Sequence, residues 1–322
     1  MPAQSPDEPA FAGGKADNPH GVRPYFLMAP AGTPFLPPVV DQYDRVYVAG
    51  PCAEKLSPGK IDCHGAADKL MLVRLSPTGT ADWSVTLQGP FSDTSSWAEQ
   101  TRAMSLQLDE KGRAVLEGTF SGTLTSRGKA LLVVSSAAGF RIAVDKNGKI
   151  VETVLTAAYP FPSSPPDQFA WSGEGELLLA STPLTGDAYV FGNRSRAVVE
   201  KAPSAARPGW QKVLSNDVNW NGCDAVAALA SGEALFGCHA DGPLTLGGTP
   251  SGDGNGFLVR YTADRDFVAA HRFNGSVSGV AGLSNGSIVV TGQFEGTMDL
   301  GGSHTSDPQY GSYSFVTVLS GI

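Results

Sequence analysis

Short apolar stretches rich in β-branched residues recur along the whole chain. Some alternate apolar and polar positions and others are continuously apolar, as in the segments 287–291 and 315–319. A period of two is typical of a strand, whereas an amphipathic helix needs a period of 3.6, which no segment sustains. The pattern therefore predicts an all-β protein.

One arrangement of these strands is repeated along the chain: strand, tight turn, strand, longer loop, strand, turn, strand. The first turns of the copies lie near Asp44, Gly112, Gly175, Gly232 and Gly286. Such residues favour the backbone of two-residue hairpin turns. The five copies cover residues 39–52 with 70–89, 104–126 with 140–156, 169–186 with 197–215, 225–248 with 257–273, and 277–302 with 313–320.

A four-stranded antiparallel unit cannot bury both of its faces alone, so repeated units must pack side by side around an axis. We therefore predict a β-propeller of five four-stranded blades, although the length alone would allow seven. The last copy lacks its fourth strand, and the N-terminal stretch 25–36 reads as a hairpin with no first half. Joining the two termini in one blade would satisfy the open sheet edge. Residues 23–322 are then a single domain.

The best copy of the repeat reads IVVTGQFEGTMDLGG at 288–302 with SFVTVLS at 314–320, and Trp83 and Trp210 open fourth strands in two other copies. This pattern resembles the SBBP-type propeller repeats of exported proteins from myxobacteria and their relatives, from about residue 24 onward. The resemblance implies an exported propeller, commonly of unknown function. These motifs specify packing, so no catalytic residue is carried over from the family.

Composition narrows the class of protein. The 322 residues include 39 Gly and 23 Pro but only 17% charged residues, which excludes a helical bundle. The net charge of −8 repels polyanions, so nucleic acid is not an expected partner. No apolar run approaches the 18 or so residues of a membrane helix. Residues 1–22 read as a disordered leader of the kind that follows a cleaved export signal.

The four cysteines form two sequence-local pairs, Cys52 with Cys63 and Cys223 with Cys238. We predict two disulfides, which fit an extracellular or cell-surface location. The second pair flanks a hairpin and can therefore face each other across it. Zinc binding by Cys63-His64 and Cys238-His239 is an alternative, but adjacent residues of a strand point to opposite faces. A second alternative to disulfides is that the cysteines are buried free thiols.

Oxygen-bearing side chains alternate before a glycine turn in the string 217–224, and such a loop could converge on Ca²⁺. The alternative is an Asx-rich turn pinned by the adjacent disulfide. The string lacks an acidic residue at the later loop positions, Ala225 and Ala228. The candidate ligands are Asp217, Asn219, Asn221 and Asp224.

Aromatic and polar residues fall on connections that run from the outer strand of one blade to the inner strand of the next. Propellers usually bind ligands on that face. Rings that stack and polar groups that bond hydroxyls or amides suit a glycan or a peptide at the axial mouth, although inter-blade packing would also use tryptophan. The candidate ligand-binding residues are Trp97, Glu99, Tyr159, Asp217, Asn219 and Trp220.

The first function predicted is therefore a binding module for a glycan, a peptide or a surface protein. One alternative is a carbohydrate-active hydrolase or lyase, which needs carboxylates in the channel; Asp41, Asp167 and Asp224 are the candidates. Another is a structural subunit of a surface assembly. The match to G-x-S-x-G at 282–286 is interpreted as an ordinary hairpin turn, because a strand and not a helix follows it.

Overall fold

The structure is a computed structural model. It describes residues 26–30, 35–52, 55–56, 69–89, 102–156, 168–171, 177–181, 184–185, 194–195, 198–201, 210–214, 218–219, 222–229, 231–240, 246–248, 254–262, 264–299, 303–305 and 312–319. All regular elements in these residues are strands, which confirms the all-β prediction. None of the described segments is a helix that could cross a membrane.

Three blades are antiparallel sheets formed by four strands from one stretch of chain. Each strand pairs with the next blade strand in sequence, so the chain runs from one edge of the sheet to the other. The second blade consists of β7 (Arg102–Leu108), β8 (Ala114–Phe120), β11 (Ala138–Val144) and β12 (Ile150–Thr156), the third of β13 (Gln168–Trp171), β14 (Leu177–Ser181), β17 (Val198–Lys201) and β18 (Trp210–Val213), and the fourth of β20 (Gly222–Ala228), β21 (Ala234–His239), β22 (Gly256–Tyr261) and β23 (Phe267–Phe273).

The first blade is formed by one stretch of chain, and the fifth blade combines strands from both ends of the chain. The first blade consists of β2 (Val39–Val40), β3 (Val46–Pro51), β5 (Lys69–Leu75) and β6 (Ala81–Gln88), and the fifth of β24 (Ser276–Gly282), β25 (Ile288–Glu295), β28 (Ser312–Leu319) and the N-terminal β1 (Phe26–Pro30). β1 pairs with β28 over five residues, and so it completes the last sheet. The predicted closure of the ring by head and tail is confirmed.

Shorter strands lie outside the four-stranded blades. They are β4 (Lys55–Leu56), β9 (Thr123–Ser126), β10 (Lys129–Val133), β15 (Leu184–Thr185), β16 (Arg194–Ser195), β19 (Val218–Asn219), β26 (Thr297–Asp299) and β27 (Ser303–Thr305). The β9–β10 hairpin reaches the outer strand of the first blade through the pair Gln88–Thr125. β4 pairs with the outer side of β1, so the closing strand has a partner on each side.

The hydrophobic core lies between consecutive blades. Neighbouring residues of one strand point to opposite faces of the sheet. Because both faces are covered, these residues belong to different core layers. In the fourth blade, Phe236 packs in the layer shared with the third blade, and Leu235 packs in the layer shared with the fifth. In the fifth blade, Val290 faces the fourth blade and Val289 faces the first. A further layer joins the first and second blades. This stacking of sheets around a ring is the arrangement of a β-propeller.

An aspartate closes several of the hairpin turns. In the second blade, Asp145 Oδ1 accepts hydrogen bonds from the backbone N–H groups of Asn147 and Lys149, each at 2.9 Å. The bond from Lys149 is the main cause that lowers the pKa of Asp145 below its ordinary value. Asp109 makes the same pair of bonds in the preceding hairpin. The acidic residues at these turns are therefore structural.

The five sheets coincide with the five copies of the repeat read from the sequence. Predicted turn residues such as Asp44, Gly112 and Gly286 have the left-handed φ that a tight hairpin requires. The predicted structural role of Trp83 also holds, because its indole N–H donates to the carbonyl of Lys146 in the next blade at 3.2 Å.

Candidate functional site

An open groove of about 490 Å³ lies at the junction of the fourth and fifth blades. Both blades contribute polar side chains to it. The polar residues that bear on its chemistry are Asp224, His239, Asn255, Asn274, Gln293 and Glu295. The groove is therefore a candidate binding site formed by strand ends and not by a single loop.

Strand direction places the groove on one face of the ring. In the fourth blade, the inner strand β20 begins here at Gly222, and β21 ends here at His239. In the fifth blade, β24 begins here at Ser276, and β25 ends here at Glu295. The link from the outer strand of one blade to the inner strand of the next, Asn274–Gly275, lies between them. This is the face on which the sequence predicted a ligand.

A β-bulge brings Asp224 to the groove. Cys223 is paired with Cys238, but the next pair is Ala225 with Gly237, so Asp224 is an extra residue in its strand. Such a bulge redirects the side chain it carries and is common beside functional sites. The predicted disulfide between Cys223 and Cys238 is present, and both cysteines are buried. It cross-links the two strands at the residues directly before Asp224 and His239.

Asp224 and His239 form a pair across these strands. Asp224 Oδ2 lies 3.1 Å from His239 Nδ1, and about a quarter of the histidine side chain is exposed. Nδ1 itself is shielded from solvent, and its N–H direction is not aligned for a hydrogen bond. The two side chains are thus in close contact without an aligned hydrogen bond. A rotation of the ring would align it, as often happens when a site is occupied.

Two asparagines are fixed by hydrogen bonds to the backbone. The side-chain oxygen of Asn255 accepts from the N–H of Gly275 at 3.2 Å. The side-chain nitrogen of Asn274 donates to the carbonyl of Glu295 at 2.7 Å. These bonds set the orientation of each amide. The Asn255 amide therefore keeps its donor for a ligand, and the Asn274 amide keeps its acceptor.

The charge of the groove is negative. Its lining includes the carboxylates of Asp224 and Glu295 and no Lys or Arg among the described residues. Phe294 also lies at the groove, but it is only 1% exposed because it packs against Phe315 and Tyr313. The ring supports the groove from beneath and offers little surface for stacking.

The structure describes one of the six residues predicted to bind a ligand. Asn219 is in β19, where its backbone pairs with Arg194. The next strand, β20, begins at Gly222 and includes Asp224. The other ligand-site candidates lie outside the described residues: Trp97, Glu99, Tyr159, Asp217 and Trp220.

The cation prediction is also only partly covered by the structure. Asp224 is the one candidate ligand whose side chain is described, and it faces His239. Asn221, like Asp217, lies outside the described residues. The described residues contain no group of three or more His, Cys, Asp or Glu that could hold a metal ion. Calcium binding at this string stays a prediction.

The first cysteine pair is described at one end. Cys52 is disulfide-bonded and 3% exposed, whereas Cys63 lies outside the described residues. In the second pair, both sulfurs are consumed by the disulfide, so Cys238 cannot serve as a zinc ligand beside His239.

The serine of the G-x-S-x-G match has a structural role. It lies in the tight turn between β24 and β25, and its backbone N–H donates to Asp44 Oδ1 at 2.8 Å. Its hydroxyl contacts the other oxygen of the same carboxylate. Ser284 therefore joins the fifth blade to the first, as the interpretation of the motif as a turn predicts.

Most residues of the groove were not predicted as a site. The sequence indicates His239 only as an alternative zinc ligand, and it gives Asn255, Asn274 and Gln293 no ligand-binding role. The repeat contained a usable signal, because His239 and Gln293 occupy the same position in consecutive blades, at the ends of β21 and β25. Polar residues at that position, on the face that carries the groove, can be collected by aligning the copies of the repeat.

Comparison with known proteins gives limited information. No protein-family model matches the chain, and no curated protein matches it. A solved structure found to be similar is a gluconolactonase from Xanthomonas campestris, with a TM-score of 0.25 and 11% sequence identity over 92% of this chain and 99% of that chain. At that score the likeness carries no argument, and the fold is assigned from the strand order itself. The resemblance to SBBP repeats stays a prediction.

Proposed function

We propose that this protein is an exported β-propeller that acts as a binding module, with a polar ligand, a glycan or a peptide, seated in the groove between the fourth and fifth blades. The observation that carries the proposal is the convergence of polar side chains from two blades, among them Asn255 and Asn274, whose amides are oriented by hydrogen bonds to the backbone. A ligand that meets oriented groups loses less conformational entropy on binding, because the protein does not have to order them.

The lining favours binding over catalysis by paired carboxylates. Glycoside hydrolysis needs a carboxyl group in a shielded environment and a second one at a defined distance. Glu295 is exposed, and Asp224 faces His239. Asp41, a third acid considered for the channel, is engaged by the turn of the first blade, where it accepts from Arg45 Nε at 2.7 Å.

Export is supported by the state of the cysteines. The described residues contain no free cysteine, and a buried disulfide joins two strands of the fourth blade. Structural disulfides persist in oxidising compartments and are rare in the cytosol. The leader predicted at residues 1–22 fits the same interpretation.

The test is to find a ligand and then locate it. The purified chain is screened against immobilised glycans and peptides, and hydrogen exchange is measured with and without a ligand that binds. Protection is expected at the strand ends around His239, Asn255 and Asn274. The hairpin turns of the second blade at 109–112 and 145–148 lie on the opposite face and serve as the internal control. Absence of any ligand, or protection confined to those turns, would refute the proposal.

A further inference from the structure

Resting on the proposed function, we propose that the ligand of the groove is a neutral saccharide, and that the groove discriminates against anionic sugars. The proposal chooses between the two ligand classes left open above. It depends on three features of the described lining: the fixed amides, the aspartate–histidine pair and the absence of both cationic side chains and exposed aromatic surface.

The amides offer a donor and an acceptor at neighbouring sites. Asn255 comes from the connection before β22, and Asn274 comes from the link between the fourth and fifth blades. The oxygen of Asn255 is bonded to Gly275 and the nitrogen of Asn274 is bonded to Glu295, so the NH2 group of Asn255 and the carbonyl oxygen of Asn274 are both left for a ligand. A sugar hydroxyl both donates and accepts, so adjacent hydroxyls match this arrangement.

The pair of Asp224 and His239 adds acceptors. The carboxylate of Asp224 lies 3.1 Å from His239 Nδ1, and about a third of the Asp224 side chain and a quarter of the His239 side chain are exposed. Carboxylate oxygens accept hydrogen bonds and do not donate them. Hydroxyl groups of a ligand can therefore donate to Asp224.

The groove offers a peptide fewer favourable contacts than it offers a saccharide. Peptide recognition relies on an exposed sheet edge or on apolar pockets for alternate side chains. The described lining consists of strand ends and connections and not of a strand edge followed along its length. Its aromatic residue, Phe294, is buried. The lining therefore suits a ligand that is polar over its whole surface.

Anionic ligands are disfavoured by charge. The described lining carries two carboxylates, Asp224 and Glu295, and no Lys or Arg to compensate them. A uronate placed within a few ångströms of these groups is repelled by each. Exposed charges are screened, so the effect of Glu295 alone is of the order of a threefold change in affinity at low ionic strength.

The experiment uses the full chain with disulfides intact. Titration calorimetry compares neutral oligosaccharides, chosen from the screen of immobilised glycans, with oligogalacturonides of matched length and with a basic peptide. We expect binding of at least one neutral series, with the uronates at least tenfold weaker. Binding only of uronates, or only of the peptide, would overturn this inference. It would leave the proposed function standing if hydrogen exchange still locates the ligand at the groove.

Asn255→Asp is the sharpest variant. It keeps the side-chain oxygen that accepts from Gly275, replaces the N–H donor by a second carboxylate oxygen and adds one negative charge, which the control variant adds as well. Loss of one hydrogen bond is expected to weaken neutral sugar binding about tenfold, equivalent to about 1.4 kcal/mol. The matched control is Asn147→Asp, an exposed turn residue on the opposite face, which should leave the affinity unchanged. Equal affinities for wild type and Asn255→Asp would overturn the role assigned to the groove.

Glu295→Gln tests the charge. It is expected to raise the affinity for uronates about threefold relative to neutral sugars at low salt. Glu110→Gln, which removes an exposed carboxylate from a turn of the second blade, is the control and should change neither affinity. An unchanged ratio of the two affinities in Glu295→Gln would contradict the discrimination by charge.

Discussion

Replacing Cys223 and Cys238 together by alanine would remove the covalent link between β20 and β21. The disulfide spans 15 residues, and closing a loop of that size restricts the unfolded chain by about 3 kcal/mol in the chain-entropy model. Both cysteines are almost fully buried, so the lost sulfur atoms add about 1 to 2 kcal/mol of apolar burial. We expect the free energy of unfolding to fall by about 4 to 5 kcal/mol.

The assay is equilibrium unfolding in urea, followed by tryptophan fluorescence, with both proteins kept under oxidising conditions so that the disulfide at Cys52 is unaffected. The slope of the transition should stay close to that of the wild type, because the surface exposed on unfolding is nearly the same. A loss below about 1 kcal/mol would show that the entropy of the loop does not set the stability of this blade.

The same variant tests the link between the disulfide and the groove. Asp224 and His239 directly follow the two cysteines, so loss of the cross-link should release the strand ends that carry them. Hydrogen exchange at these two amides should accelerate, while the amides of β25 in the fifth blade keep their protection. Unchanged exchange at Asp224 and His239 would show that strand pairing alone positions them.

Two further predictions concern the scaffold. Gly292→Ala would place a methyl group 2.0 Å from the carbonyl oxygen of Ser276, so we expect the free energy of unfolding in urea to fall by about 3 kcal/mol. The control Gly286→Ala has open space but a left-handed φ, and its free energy of unfolding should fall by about 1 kcal/mol. Equal losses in the two variants would contradict the clash. The lowered pKa of Asp145 stabilises the fold above the unfolded value of about 3.9, and this contribution disappears as the pH falls through the folded pKa. Asp145→Asn should therefore be less stable than wild type at pH 7, and the difference should shrink in acid; a constant difference from pH 7 to pH 2 would refute it.

Much of the fold could be predicted because it follows from local patterns that repeat. Turn residues such as Gly112 and Gly286 mark hairpins whatever surrounds them, and apolar runs covered on both faces identify strands between two neighbours. The closure by β1 followed from counting strands in the last copy. These are properties of single segments or of copies compared with one another, and both are visible in one sequence.

The groove could not be predicted in the same way because its residues meet only through register. Asp224 and His239 are 15 positions apart, and they meet where a bulge shifts the pairing by one residue after Cys223. In an ideal ladder Asp224 would lie directly opposite Gly237, the position that Ala225 takes in the structure. No feature of the sequence around Asp224 indicates the extra residue.

The bulge itself is a property of the repeat. The pairing of the first two strands shifts at Met104 in the second blade, at Asp224 in the fourth and at Ser278 in the fifth. In the fifth blade the bulged residue is structural, because the Ser278 hydroxyl donates to the carbonyl of Phe35 at 3.0 Å and joins the blade to the segment that enters the first. In the fourth blade the same backbone position carries a carboxylate beside a histidine. One repeated backbone feature thus contributes to packing in one blade and carries a carboxylate at the groove in another, so similar sheets present different chemistry at equivalent positions.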